Sequence, residues 1–338
     1  MQAEFEIGGR MIGGSSPLLF IAEAGVSHFG DMDLAEQLVD LAADAGADVF
    51  KTQFFDVEML FAKQASEWRD RLRPRNLSFA QARTLKDRCD RRGILFMSTA
   101  HDESRIRWLA DLDVPAIKVG SGERNNIGFF EKLARLGRPM IVSTGMYREA
   151  DVVEAVDACR RGGCERVALL HCVTSYPAPP ADINLKAMDR LAGMFGVPVG
   201  YSDHTEDHLA VIAAAARGAK VIEKHITILR DVPNAQDWRV SAGPEDLAKL
   251  VSDLRRVESL LGSGRKEPAP SETAGQGWAL KSLVAARALP AGHTLAEPDI
   301  VAKRPAGGVP PNRMADLLGR RLPEALAADD AFPASLLD

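Results

Sequence analysis

The stretch VPVGYSDHTEDHLAVIAAAARGAKVIEKHIT, residues 197–227, decides the fold. It opens on the apolar run VPVGYSDH (197–204) and closes on a second, KVIEKHIT (220–227). Between them LAVIAAAARG (209–218) carries the apolar stripe of a helix and stops at a glycine. The unit reads as strand, helix, strand, and strands joined in this way run parallel. Each strand ends in a histidine, His204 and His225.

The same unit recurs upstream. Strand-like runs are LLFIAEAG (18–25), ADVFKTQ (47–53), ILFMSTA (94–100), AIKVG (116–120), PMIVSTG (139–145) and VALLHCV (167–173). Helical stretches follow, among them DLAEQLVDLAADAG (33–46), FFEKLARLG (129–137) and DLAKLVSDLRRVESLLG (246–262). Eight such units predict an α/β fold of the (β/α)8 TIM-barrel type over residues 17–262. An open doubly wound sheet competes, but it has no need of eight equal units.

The flanks differ in character. Residues 1–16, with FEIGGRMIGGSSP, predict a hairpin that caps the lower end of the barrel. Residues 263–277 are rich in Gly, Pro, Ser and charge, the signature of a linker. From 278 to 338, short runs such as SLVAARAL and DIVAKRP between Pro and Gly predict a small, mainly β module. A length of 338 residues has room for one large and one small domain.

Composition excludes several classes. The net charge of −5 argues against a dedicated nucleic-acid binder. No apolar run reaches membrane-spanning length, and the N-terminus is too polar for a signal peptide. The four cysteines (Cys89, Cys159, Cys164, Cys172) form no CxxC pair and match no zinc spacing. Reduced thiols in a cytoplasmic protein are the expectation.

In a barrel the active site lies at the C-terminal ends of the strands. Glu23, Lys51, Gln53, Ser98, Thr99, Lys118, Ser143, Thr144, His171, Ser202, His204, Glu223 and His225 all stand there. Ser121, Glu123 and Tyr176 follow in the loops. The period of two puts Lys51 with Gln53, Ser202 with His204 and Glu223 with His225, and turns Lys224 the other way. His204 and His225 on adjacent strands could share a divalent ion, or each could bond a neighbour inside the barrel. Lys51 and Lys118 in apolar strands could bind an anion, form a Schiff base, or pair with Glu23, Glu123 or Glu223. Ser121, Ser143 and Thr144, each beside a glycine, can donate to phosphate oxygens.

These segments resemble a known family. IAEAGVSHFGD, FKTQ, IKVGSGERNN, IVSTGM, LLHCVTSYPAP, GYSDHT and EKHIT are similar, in order and spacing, to the signature segments of the N-acetylneuraminate (sialic acid, nonulosonic acid) synthases. SLVAARALPAGHTLAEPDIVAKRP resembles their C-terminal antifreeze-like SAF module, a β-clip. The resemblance implies condensation of phosphoenolpyruvate with the aldehyde of an N-acylated hexosamine, giving a nonulosonic acid and phosphate. It implies Mn2+ or Mg2+ on His204 and His225. It matches Lys51, Gln53, Lys118, Ser121, Ser143 and Ser202 to the phosphoenolpyruvate site, and Glu23 and Glu123 to carboxylates near the reacting carbons. Glu123 is the expected proton carrier. Tyr176 matches a sugar-side tyrosine. Arg304 matches an arginine that reaches the barrel of the other chain in a homodimer with exchanged SAF modules.

The departures fall on the sugar side. Ser27 stands where the family usually has Asn, Thr174 where an asparagine often precedes the tyrosine, and Gln236 or Asp237 where an aspartate holds sugar hydroxyls. The reaction is therefore expected to be retained with an altered acceptor, N-acetylmannosamine or a 2,4-diacetamido-6-deoxyhexose. A Kdo- or DAHP-type aldose phosphate synthase and a Schiff-base keto-acid sugar lyase are the competing readings.

Overall fold

In a computed structural model, which describes residues 1–233, 235 and 237–337, the chain divides into two units, Met1–Gly262 and Ser263–Asp338. The first begins with an antiparallel hairpin, β1 (Glu4–Ile7) and β2 (Arg10–Gly13). Eight parallel strands then close into a barrel. They are β3 (Leu19–Gly25), β4 (Val49–Phe54), β5 (Leu95–Ala100), β6 (Ile117–Val119), β7 (Met140–Ser143), β8 (Val167–Cys172), β9 (Val199–Asp203) and β10 (Val221–His225). β10 pairs with β3, with His225 opposite Glu23, which completes the ring.

Helices alternate with the strands. α1 (Met32–Asp44) follows β3; the short α2 (Val57–Leu60) and α3 (Ser66–Leu72), then α4 (Phe79–Arg92), follow β4. α5 (Ile106–Asp111), α6 (Ile127–Ala134), α7 (Glu149–Arg161), α8 (Lys186–Phe195), α9 (Leu209–Ala216) and α10 (Leu247–Leu261) complete the alternation. α1 starts on Asp31, whose carboxylate accepts from Asp33 N and Leu34 N, and the chain leaves it through Gly46 at φ 79°.

Strand alternation separates two cores. Phe20, Phe50, Phe96, Val142, Leu169 and Ile222 face the helices, where they pack with residues such as Leu38, Leu133 and Leu250. Leu19, Ile21, Val49, Met97, Ile141, Leu170 and Val221 fill the barrel, together with Phe5, Ile7 and Ile12 of the hairpin. The hairpin therefore closes the end at which the strands begin, and polar side chains are left to the other end.

Two places depart from the sequence reading. Between β4 and α4 the chain inserts α2 and α3, a segment without the long amphipathic period of the other units. The expected linker is partly helical: α11 (Thr273–Ala279) forms there, preceded by a turn in which the Glu272 carboxylate accepts from Ala269 N at 2.7 Å. In the second unit β11 (Ser282–Ala285) pairs with β12 (Ile300–Lys303) over a core of Leu283, Leu289, Leu295, Val309, Leu322 and Phe332. Among the described residues, no helix is long and apolar enough to cross a membrane.

Candidate active site

At the C-terminal ends of the strands a cavity of about 370 Å3 opens, within the ~300–1,000 Å3 range of small-molecule sites. Of the residues singled out from the sequence, Glu23, Lys51, Gln53, Lys118, Ser121, Ser143, Thr174, Tyr176, Ser202, His204, His225 and Asp237 line it. Alternation explains the set: where Leu19, Ile21 and then Glu23 face inward, the last inward position of the strand reaches the cavity.

The floor is a buried charge cluster. Lys51 Nζ lies 2.7 Å from Glu23 Oε2 and 3.6 Å from Glu223 Oε2. Lys118 Nζ donates to Ser143 Oγ at 2.7 Å and lies 3.6 Å from Glu223 Oε1. Gln53 Nε2 donates to Glu23 Oε1 at 2.9 Å, and Ser202 Oγ to Glu223 Oε1 at 3.0 Å. Burial would pull the Lys51 ammonium down, but Glu223 and Glu23 outweigh it and hold Lys51 above its ordinary value. Burial would push the Glu223 carboxyl up, but Lys118 and Lys51 overcome it and hold it at about 2. Lys118 is pulled below its ordinary value by burial, with Glu223 opposing and Lys51 adding to the effect. Lys51 and Glu223 thus keep their charges against desolvation because the cluster supplies each with counter-charge.

The histidines stand beside this cluster, with ring centroids 5.4 Å apart. His204 Nδ1 donates to the Val173 carbonyl at 2.7 Å, which leaves the Nε2 lone pair for the cavity. Tyr176 packs on His204 with centroids 4.0 Å apart and fixes the ring plane. Burial, with His225 adding to it, lowers His204 to about 4, so the ring is neutral at pH 7. His225 Nδ1 is buried without a hydrogen-bond partner. The neutral His204 ring and the His225 ring with its orphaned buried nitrogen fit a divalent ion that keeps open positions. Among the described residues, no group of three or more His, Cys, Asp or Glu could hold one.

Behind the site the outward-facing residues brace the same strand ends. Lys224 forms a fully buried ion pair with Asp203 and donates to the Thr205 carbonyl at 2.7 Å. Asp203 also accepts from Tyr201 Oη and Thr205 Oγ1, each at 2.9 Å. β9 and β10 are pressed together at Gly200, where a Cβ would lie 2.0 Å from the Val221 carbonyl oxygen.

One expected proton carrier is not brought to the cavity. Glu123 sits on the tight turn after β6, and its carboxylate accepts from Asn126 Nδ2 at 2.7 Å. Burial raises its carboxyl, and Glu123 is not among the residues that line the cavity. Glu223 stands in the cavity instead. Gln236 lies outside the described residues, and Arg304 belongs to the second unit. His171 turns outward, with Nε2 at 2.6 Å from the Ile183 carbonyl, and the inward position falls to Cys172.

Sequence reasoning missed Cys172, His101 and the insertion. Period two along VALLHCV puts Cys172 on the inward face with Ala168 and Leu170. His101 is the next inward position after Thr99, one residue past the strand; burial, then Lys51 and Lys118, lower it to about 4. Phe61, Trp68, Arg71, Leu72 and Arg75 of the insertion line the cavity with no periodic signal.

A barrel with buried lysines, carboxylates and imidazoles at the strand ends is a barrel enzyme. The chain belongs to the NeuB family, the sialic and related nonulosonic acid synthases: the family model matches residues 38–266, and a SAF-domain model matches 281–338. It is 36% identical to the N,N'-diacetyllegionaminic acid synthase of Legionella pneumophila, over 94% of this chain and 93% of that one. It is 34% identical to the N-acetylneuraminate-9-phosphate synthase of Homo sapiens, over 98% and 95%. The crystal structure of an N-acetylneuraminic acid synthetase from Leptospira borgpetersenii, in complex with citrate, matches with a TM-score of 0.76 and 36% identity. That match covers 80% of this chain and 94% of that one.

Proposed function

We propose that this chain condenses phosphoenolpyruvate with the open-chain aldehyde of an N-acylated hexosamine, giving a nine-carbon 2-keto acid and phosphate. The observation that carries the reading is one cavity in which two buried lysines ringed by hydroxyls lie beside two facing imidazoles, in a chain of this family. Lys51, Lys118, Gln53, Ser121, Ser143 and Ser202 take the carboxylate and phosphate of phosphoenolpyruvate. His204 and His225 hold Mn2+ or Mg2+, which supplies Lewis-acid polarisation of the aldehyde oxygen when bound.

The bond changes follow from the chemistry of the two substrates. C3 of phosphoenolpyruvate attacks the aldehyde carbon, and the aldehyde oxygen needs a proton. Water adds to the cationic C2 and loses a proton, and the tetrahedral intermediate expels phosphate by breaking its C–O bond. Glu23, paired with Lys51 and opposite His225 in the register, relays a proton from that water to the aldehyde oxygen. Tyr176, Thr174 and Asp237 contact the sugar. The active species is a cytoplasmic homodimer in which Arg304, exposed and lying over Trp278 at 5.8 Å, completes the partner's site.

The test is phosphate release from phosphoenolpyruvate with Mn2+, across N-acetylmannosamine, 2,4-diacetamido-6-deoxyhexoses and their derivatives. A product of nonulosonic acid mass, with a bridging 18O label recovered in inorganic phosphate, is expected. No release with any acceptor, or the label retained in the keto acid, overturns the reading. The lowered Lys118 favours one second reading, a Schiff-base lyase. Borohydride in the presence of pyruvate would then add one pyruvyl mass to Lys118.

A further inference from the structure

The insertion after β4 carries four arginines in alternate positions, Arg69, Arg71, Arg73 and Arg75. Arg69 and Arg73 both pair with Glu58, Arg73 at 2.6 Å. Arg71 and Arg75 are held differently. Among the described residues neither forms an ion pair, and the buried Arg71 Nε has no hydrogen-bond partner. Each guanidinium instead lies over a ring, Arg71 over Trp68 at 4.9 Å and Arg75 over Phe29 at 4.8 Å. Both line the cavity, and Arg75 is only 8% exposed. The backbone that carries Arg75 is pressed against the loop after β3, where a Cβ on Gly30 would lie 2.1 Å from the Pro74 carbonyl oxygen.

Burial, and then repulsion by Arg71, lower Arg75 below its ordinary value, and Asp237 only partly offsets this. A buried and a half-buried cation side by side without a close counter-ion are unfavourable, and an anion relieves them. Lys51 and Lys118 differ, since Glu23 and Glu223 already balance them.

We propose that Arg71 and Arg75 bind an anionic substituent of the acceptor sugar, a phosphate ester or a carboxylate, at the end remote from its aldehyde. This rests on the condensation proposed above for its orientation. The lysine and serine donors at the strand ends are taken there by phosphoenolpyruvate, and the aldehyde lies at the histidines. The arginines reach the cavity from a segment outside the strands. Arg71 and Arg75 line the same cavity as Tyr176 and Asp237, the residues assigned above to the sugar, which gives the arginine pair the sugar end. The planar fork of a guanidinium matches phosphate and carboxylate oxygens in pairs, and two rings hold the forks in place beforehand.

Calorimetry on the full-length protein tests this with three probes, N-acetylmannosamine, N-acetylmannosamine 6-phosphate and N-acetylmannosaminuronate. At least one anionic sugar should bind about tenfold more tightly than the neutral one. The sugar that gains identifies phosphate or carboxylate as the group. In Arg75→Gln, and separately in the more exposed Arg71→Gln, the ratio of anionic to neutral affinity should fall towards one, with melting temperature monitored. Equal affinity for all three sugars, no binding of any, or an unchanged ratio in both variants overturns the assignment. Binding is read without turnover, so the two proposals fail separately. An anionic preference without phosphate release sinks the reaction alone, and phosphate release with a neutral preference sinks the arginine assignment alone.

Discussion

At His204 one hydrogen bond fixes the chemistry, because the Val173 carbonyl takes the Nδ1 proton and leaves Nε2 as a base. His204 and His225 are the two facing imidazoles proposed to hold the ion, so losing either is expected to weaken Mn2+ binding by more than about 100-fold, since outer-shell changes alone are worth about 10–100-fold. Titrating Mn2+ into His225→Ala and His204→Ala checks this. Exhaustive chelation should abolish turnover of the wild type and Mn2+ should restore it; full turnover after chelation would sink the metal role. His28 makes a different prediction. It is 1% exposed, its Nδ1 accepts from Gly30 N at 3.1 Å, and burial, then Arg75, lower it to about 4. The folded state resists protonation while the unfolded state takes a proton near pH 6.5, so stability is complete above 6.5 and falls as pH drops towards 4. The contribution lost at pH 5 is about 2 kcal/mol. His28→Gln should therefore show a shallower acid limb in denaturant unfolding between pH 7.5 and 5, and an unchanged limb would refute it.

At the scale of elements, β9 and β10 must hold two ring nitrogens in register. Gly200→Ala would force its methyl against the Val221 carbonyl oxygen, for which 2.0 Å leaves no room. The strands must part, so the variant should lose Mn2+ affinity as well as about 1–3 kcal/mol of stability; a variant with wild-type affinity would refute the coupling. At the other end, Ile7→Ala in the hairpin should cost about 2–5 kcal/mol by leaving a hole under the barrel, read as a fall in denaturation midpoint. The eight strands and most of their inward residues, though not Cys172 or His101, were legible because period two is local: Leu19, Ile21 and Glu23 announce their common face without any tertiary information. Glu123, Arg71 and Arg75 were not legible in this way. They sit on turns and short helices, where direction depends on contacts such as Asn126 with Glu123 and Pro74 with Gly30, and no spacing in the sequence encodes those contacts. The helix at Thr273–Ala279 was hidden by composition, since its glycines and the prolines before it read as linker.

At the scale of the whole molecule, the proposed exchange of SAF modules has a quantitative signature. Residues 263–272, fully extended, could span roughly 30 Å at about 3.3 Å per residue, whereas the helical residues that follow advance only about 1.5 Å each. A heterodimer of a His225→Ala chain and an Arg304→Ala chain contains one site with both defects and one with neither, provided the modules are exchanged. In an equal mixture that reassorts freely, half the dimers are mixed and half of their sites are intact. Activity should then recover to about one quarter of wild type, from two preparations that are nearly inactive alone. The measurement is phosphate release after co-expression, with each chain carrying a different tag and the mixed dimers isolated through both. Isolated mixed dimers should reach about half of wild type, because one of their two sites is whole. If each module served its own barrel, every site in the mixed dimer would carry one defect, and confirmed heterodimers would stay as inactive as their parents.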